Sequence, residues 1–172
     1  MVRFEDLIEK HHDEIFAYLW RLLGKNGRRD GAMDVEDLAQ DAFLRAYRGF
    51  PGLRPNSNHR AWLYKIATNC AYTRLKQINN RRAGIQSFEQ VATTSDNGSA
   101  PIFEEAEEKI RLLVSELPPK QKACLTLRYL QELDYPDIAR ILGCSPDSIR
   151  ANVYQAIRRL RRSLQEDSAE KI

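Results

Sequence analysis

Phe4, Leu7, Ile8, Ile15, Leu19, Leu22 and Leu23 recur at three- and four-residue spacing, which predicts an amphipathic helix over the first 20-odd residues. Gly24 to Gly31, rich in glycine and charge, reads as a loop. Asp34 then stands where a helix cap belongs, with Asp37 at the third position favouring the positive end of the helix dipole. Val35, Leu38, Ala39, Ala42, Phe43 and Ala46 supply the apolar stripe of this second helix, and Pro51-Gly52 stops it. The segment to Asn58 is irregular. A third helix is predicted from about His59 to Lys76, with Trp62, Ile66 and Cys70 on one side and Trp62 in the core.

From roughly Asn79 to Pro101 the periodicity fails, and Thr93 to Pro101 has the small, polar composition of a mobile linker. Helical pattern resumes near Phe103 with Ile110, Leu113, Val114 and Leu117, and Pro118-Pro119 opens a further helix through Leu130. No segment keeps a period of two, so the fold class is all-α: two small helical domains joined by a flexible linker. The expected division is residues 1–78, a linker over 79–102, residues 103–164 and a tail over 165–172.

Tyr135 to Tyr154 fits a helix-turn-helix position by position. Asp134 caps a short helix with Pro136 in its first turn, Ile138, Ile141 and Leu142 face inward, and small Ala139 permits close helix approach. Gly143 follows where the chain must leave through a left-handed conformation. Ser145 caps the second helix, Pro146 opens it, and Ile149, Val153, Ile157 and Leu160 turn to the core. Arg150, Tyr154, Arg158 and Arg161 then share one face, with Asp147, Ser148 and Ala151 near its front. Such a helix reads base edges with its N-terminal residues and holds phosphates with its cations. Tyr154 packs its ring or touches DNA in this reading, and Asp147 serves the helix N-terminus.

The charge pattern sharpens this picture. The net charge of the 172 residues is only +3, but its distribution is segregated: residues 51–82 hold 7 basic and no acidic side chains, residues 83–117 hold 2 and 7, and residues 146–162 hold 5 and 1. Two basic blocks separated by an acidic stretch suit two contacts with a polyanion. The first block mixes cations with amides and aromatics: Arg54, Asn56, Asn58, Arg60, Tyr64, Lys65, Asn69, Tyr72, Arg74 and Lys76. Lys65, Asn69, Tyr72 and Lys76 fall along one side of the predicted helix. Cations that track phosphates beside groups that stack on unpaired bases fit DNA being opened.

Other chemistry is thin. The longest apolar run, Ile15 to Trp20, is far short of the roughly 20 residues that cross a bilayer, and the N-terminus lacks the apolar core of a signal peptide. A cytoplasmic protein without membrane insertion is expected. Cys70, Cys124 and Cys144 lie in apolar helical pattern as small buried side chains, without metal spacing to the histidines, so neither metal nor cofactor is expected.

Taken together, Asp34-Val-Glu-Asp-Leu-Ala-Gln-Asp-Ala-Phe-Leu-Arg-Ala-Tyr47 and Arg60-Ala-Trp-Leu-Tyr-Lys-Ile-Ala-Thr-Asn69 closely resemble region two of the extracytoplasmic-function sigma factors, a subfamily of the sigma-70 family. Leu117-Pro-Pro-Lys-Gln-Lys-Ala and Tyr135-Pro-Asp-Ile-Ala-Arg-Ile-Leu-Gly143 resemble their region four. The resemblance covers nearly the whole chain. It implies a dissociable specificity subunit of bacterial RNA polymerase, not an enzyme, with core RNA polymerase, promoter DNA and an anti-sigma factor as partners. By matched position, Asp37, Gln40 and Asp41 would dock the clamp coiled coil, and the front of region four would meet the flap. The segment from Phe50 to Asn58, with Arg54, Asn56 and Asn58, would capture a flipped base of the −10 element. Lys65, Asn69, Tyr72 and Lys76 would face the melting −10 region, and Ser148, Arg150, Ala151, Tyr154 and Arg158 the −35 duplex. This chain departs from the common pattern at Thr73, Ala151-Asn152 and Gln155, so its promoter preference is its own. Two other readings compete: a stand-alone regulator that uses the helix-turn-helix alone, and a metal-dependent nuclease built on Asp34, Asp37 and Asp41.

Overall fold

The structure is a computed structural model that describes residues 3–23, 32–54, 56–85 and 102–169. Among the described residues there are seven α-helices, one 3-10 turn and no strand. They are α1 (Phe4–Leu23), α2 (Ala32–Gly49), the turn Phe50–Gly52, α3 (His59–Ile85), α4 (Ile102–Ser115), α5 (Pro119–Tyr129), α6 (Tyr135–Leu142) and α7 (Pro146–Ala169). The expected all-α architecture holds, and the loop and linker read over 24–31 and 93–101 lie outside the described residues.

Two boundaries differ from the sequence reading. Helix α2 begins at Ala32, so Asp34 lies in its first turn and does not stand ahead of it. Helix α3 runs to Ile85, well past Lys76 and into the stretch assigned to the linker. Gln77, Arg81, Arg82 and Ala83 are good helix formers with no proline among them. A helix needs an apolar stripe only where it packs, and beyond Leu75 the residues Lys76, Gln77, Asn79, Asn80 and Arg81 are exposed.

Helices α1, α2 and α3 form one bundle. Ile15, Tyr18, Leu19 and Leu22 of α1 are fully buried, facing Leu38, Ala42 and Ala46 of α2 and Tyr64, Ala67 and Ala71 of α3. The alanines let the helix axes approach closely. Gly49 serves the same end: a Cβ there would come within 3.3 Å of Trp62 Cζ2, so the indole lies directly against the end of α2. Helix α3 is buried around much more of its circumference than one packing face needs, at Ala61, Leu63, Tyr64, Ala67, Thr68, Cys70, Ala71 and Leu75. The reason is a second neighbour: α3 packs against α2 and α1 and also against α6 from the C-terminal half.

The C-terminal half folds as read. The Asp134 side chain accepts the Asp137 N–H at 2.8 Å, Gly143 takes the left-handed conformation (φ 65°, ψ 40°), and Ser145 Oγ accepts the Ser148 N–H at 3.2 Å. Each such cap contributes about 1 kcal/mol. Ile138, Ile149, Val153 and Ala156 close the core, while Ile157, Leu160 and Leu142 are half-buried. Cys70 and Cys124 are buried and Cys144 is half-buried, all three as free thiols.

The two halves share one continuous core. Between α5 and α6 the chain reverses through Glu132, whose φ of 53° is in the left-handed region. That conformation costs a non-glycine residue roughly 1 kcal/mol, and the turn turns Gln131 and Leu133 inward on either side of it. Lys122 of α5 reaches the ends of two helices: its Nζ donates to Ser115 O of α4 at 2.7 Å and to Leu22 O of α1 at 3.5 Å. Carbonyls at helix C-termini lack intrahelical donors and carry partial negative charge, which is where a cation is stabilising.

Candidate nucleic-acid and polymerase interfaces

On α2, Asp37 and Gln40 are exposed and Asp41 is partly exposed, so all three expected docking residues reach one solvent face. Asp41 pairs with Arg45 one turn on, at 3.0 Å. An exposed pair of this kind contributes little to stability, which leaves both groups available to a partner. The same face carries Leu44, 56% exposed, which the sequence reading passed over. Its signal was present: Leu44 stands seven residues from Asp37 and three from Asp41, outside the apolar stripe. Leu44 thus joins Asp37, Gln40 and Asp41 on one exposed face at helical spacing.

The turn before α3 is anchored by Phe50, whose ring meets Phe4 edge-on at 5.4 Å and lies 6.3 Å from His59. It is tightened by Ser57, whose Oγ donates to Arg54 O at 2.7 Å. Arg54 and Asn56 project into solvent. Asn58 is exposed, but its Oδ1 accepts the Ala61 N–H at 2.9 Å and caps α3. Its side chain therefore has a structural task that its position in the basic block did not reveal.

Along α3, Lys65, Asn69 and Lys76 form the expected exposed row. Tyr72 does not join it in solvent. Its ring is half-buried against the core, and its hydroxyl is buried with no hydrogen-bond partner. Burial pushes its phenol well up, with the Cys124 and Cys144 thiols of the C-terminal half adding to the shift. Tyr72 thus lies in the expected row yet has its hydroxyl enclosed, on a helix that also packs against α6, which spacing along α3 cannot disclose.

A polar network crosses the same junction. Arg60 Nε and Nη2 clamp the Glu14 carboxylate at 3.0 and 2.7 Å, His11 Nδ1 donates to the same carboxylate, and Arg60 Nη2 also donates to Gln131 O at 3.2 Å. Tyr64 is wholly buried, and its hydroxyl donates to Gln131 Oε1 at 2.7 Å. Burial alone would raise the Glu14 carboxyl; the hydrogen bonds from Arg60 and His11 outweigh it and hold the group below the ordinary glutamate range. Beneath this, the Thr68 hydroxyl donates to Tyr64 O at 2.7 Å and so accepts from the Tyr18 hydroxyl at 2.8 Å.

On α7, Arg150, Ala151, Tyr154 and Arg158 are exposed and Ser148 is half-buried at the helix start. Tyr154, at 67% exposure, stands out into solvent and does not pack. Arg150 Nη1 donates to Asp147 Oδ1 at 2.6 Å. Gln155, one of the departures from the common pattern, accepts from Gln121 Nε2 at 3.2 Å, which ties α7 to α5. An apolar groove of about 960 Å³ runs between α1, α4, α5 and α7, lined by Trp20, Ile110, Leu112, Tyr129 and Leu130 among others.

No helix among the described residues is long and apolar enough to cross a membrane, and no group of three or more His, Cys, Asp or Glu among them could hold a metal ion.

Comparison with known proteins agrees with this arrangement. Residues 7–82 match the model of sigma-70 region 2, and residues 107–160 that of sigma-70 region 4. The chain is 25% identical to the ECF RNA polymerase sigma factor SigW of Bacillus subtilis (strain 168), over 95% of this chain and 89% of that one. It is 28% identical to the RNA polymerase sigma-H factor of Pseudomonas aeruginosa, over 94% and 86%. Its fold is similar to that of the sigma factor RpoE, solved in complex with the anti-sigma factor NepR from Bartonella quintana, with a TM-score of 0.72, 23% identity and 94% and 96% of the two chains covered. With region 2 on α1 to α3, region 4 on α4 to α7, and relatives of this kind aligned across nearly its full length, the chain belongs to the sigma-70 family, as an RNA polymerase sigma factor of the extracytoplasmic-function type.

Proposed function

We propose that the chain binds core RNA polymerase through the exposed α2 face of Asp37, Gln40, Asp41 and Leu44, and that the front of region four meets the polymerase flap. Arg54, Asn56 and the Lys65–Asn69–Lys76 row then engage the −10 element as it melts, and Arg150, Ala151, Tyr154 and Arg158 engage the −35 duplex. The observation that carries this reading is the presence of two exposed polar and cationic rows, one on α3 and one on α7, each on its own half of the molecule. Covalent connection raises the effective concentration of the second contact once the first is made. Melting is driven by binding energy: unstacking a base costs a few kcal/mol, offset where a pocket holds it. The work is binding, not catalysis, and it takes place in the cytoplasm beside the polymerase.

In the arrangement described, α6 packs against α3, and the Tyr72 hydroxyl is buried without a partner. We infer that promoter engagement through Tyr72 follows separation of the halves. The unpartnered hydroxyl favours this: burying a donor without a partner costs about 1–3 kcal/mol, which opening recovers. An anti-sigma factor, such as the one bound to the similar RpoE, would cover the apolar groove. Of the eight large apolar side chains exposed among the described residues, five lie there, and contiguous apolar surface of this kind marks protein interaction sites.

Reconstitution with core polymerase on a promoter library tests the reading. Specific initiation that depends on both elements is expected; a folded protein that initiates nowhere in the library overturns it. Tight duplex binding without polymerase, unchanged in Asp41→Ala, would instead make the chain a stand-alone regulator.

A further inference from the structure

At the mouth of the helix-turn-helix, side chains from three consecutive helices meet on one ring. The Cζ of Arg128, from α5, lies 4.9 Å from the centroid of the Tyr135 ring, and that of Arg150, from α7, lies 5.4 Å from it. Both are within the roughly 6 Å over which a guanidinium is attracted to an aromatic quadrupole. Tyr135 is the first residue of α6 and packs half-buried against the core, so its ring is a fixed platform. Arg128 is held a second time, its Nη1 donating to Leu133 O at 3.0 Å. We propose that Tyr135 is a positioning residue for duplex binding, orienting Arg150 over its ring before DNA arrives.

The alternative support for Arg150, its ion pair with Asp147, cannot do this. Both partners are well exposed, and water and salt screen such a pair. More decisively, Asp147 occupies an N–H of the guanidinium, and DNA must displace it. The ring uses a different part of the group. It attracts the cation through the guanidinium plane and leaves the N–H edge free for a phosphate or for the two acceptors of a guanine. A long arginine side chain loses considerable rotamer freedom when it binds, and holding it beforehand lowers that cost. Tyr135 touches no base in this account; it acts through Arg150.

This inference rests on the −35 role proposed for α7. The test uses the full chain reconstituted with core RNA polymerase, and as probe the duplex that the wild-type holoenzyme enriches most from a library randomised upstream of the start site. Binding is compared for wild type, Tyr135→Phe, Tyr135→Leu, Arg150→Ala and the double variant Tyr135→Leu/Arg150→Ala. Tyr135→Phe keeps the ring and should bind as wild type, while Tyr135→Leu should bind about two- to five-fold more weakly. On the Arg150→Ala background the leucine should cost nothing further, because the group it positions is gone. A role confined to stability would lower binding by the same factor in both backgrounds, and that result would overturn the proposal. So would a leucine variant that binds as wild type, or a phenylalanine variant as weak as leucine. A second measurement needs no DNA and no variant that might unfold: the ring current of Tyr135 should shift the δ-methylene protons of Arg150 upfield in wild type and Tyr135→Phe, and unshifted protons there would also refute it. If the wild-type holoenzyme enriches no sequence, the −35 reading itself fails and this proposal with it.

Discussion

The hydroxyl of Tyr64, on the helix that carries the exposed Lys65–Asn69–Lys76 row, donates to the side-chain oxygen of Gln131 at 2.7 Å, across 67 positions of sequence. Tyr64 is wholly buried and Gln131 nearly so, which makes this bond a link between the two promoter-reading halves of the molecule. The backbone of Gln131 is engaged as well, by Arg60. One residue in a turn of the C-terminal half therefore meets two side chains of α3.

Gln131→Ala should loosen this junction. The substitution leaves a buried phenolic donor without its acceptor, at a cost of about 1–3 kcal/mol to the packed arrangement. Small-angle scattering should show a larger radius of gyration for the variant, and amide exchange along α3 should accelerate. A variant as compact and as protected as wild type would show that the halves are held by apolar contact alone.

Tyr72→Phe should act in the opposite direction. Removing a buried hydroxyl that has no partner relieves its desolvation, so the closed arrangement should gain about 1 kcal/mol. Thermal melting of the free protein should rise. Promoter opening by the holoenzyme should not improve with it, because the same substitution removes a polar group from the face proposed to meet the −10 element.

The Glu14–Arg60 pair predicts a pH dependence with a definite sign. The Glu14 carboxyl is held below the ordinary glutamate range in the folded state. Its contribution is therefore fully present above that range and is lost as the pH falls through the lowered value. Melting followed between about pH 6 and pH 3 should decline more steeply in wild type than in Glu14→Gln, where no carboxylate titrates. Parallel profiles would mean that the clamp by Arg60 and His11 does not perturb Glu14.

On α2, Leu44→Ala, Gln40→Ala and Asp41→Ala should weaken capture of core polymerase while changing stability by no more than about 0.5 kcal/mol, since their side chains are wholly or partly exposed. Pull-down of purified core by each variant, beside its melting curve, measures both quantities. Undiminished capture by all three would move the docking surface elsewhere.

The elements legible in the sequence were those whose causes lie within a few residues. Asp134, Gly143 and Ser145 perform the capping and left-handed roles assigned to them, because a cap is satisfied by a backbone group three positions away. Arg150, Tyr154 and Arg158 share an exposed face for the same reason: helical spacing alone sets it. The extension of α3 to Ile85 escaped because a helix that projects into solvent carries no apolar stripe to read.

The set of helices, the helix-turn-helix and the segregation of charge into two blocks thus follow from local spacing and residue chemistry alone. Packing in three dimensions was needed to set α3 against α6, to join Gln131 to Tyr64, to place Lys122 between the ends of α1 and α4, and to bury the Tyr72 hydroxyl. Those contacts join residues up to 100 positions apart. Their pairing is selected by shape and burial across two surfaces at once, and no periodicity along a single helix encodes which partner will lie against it.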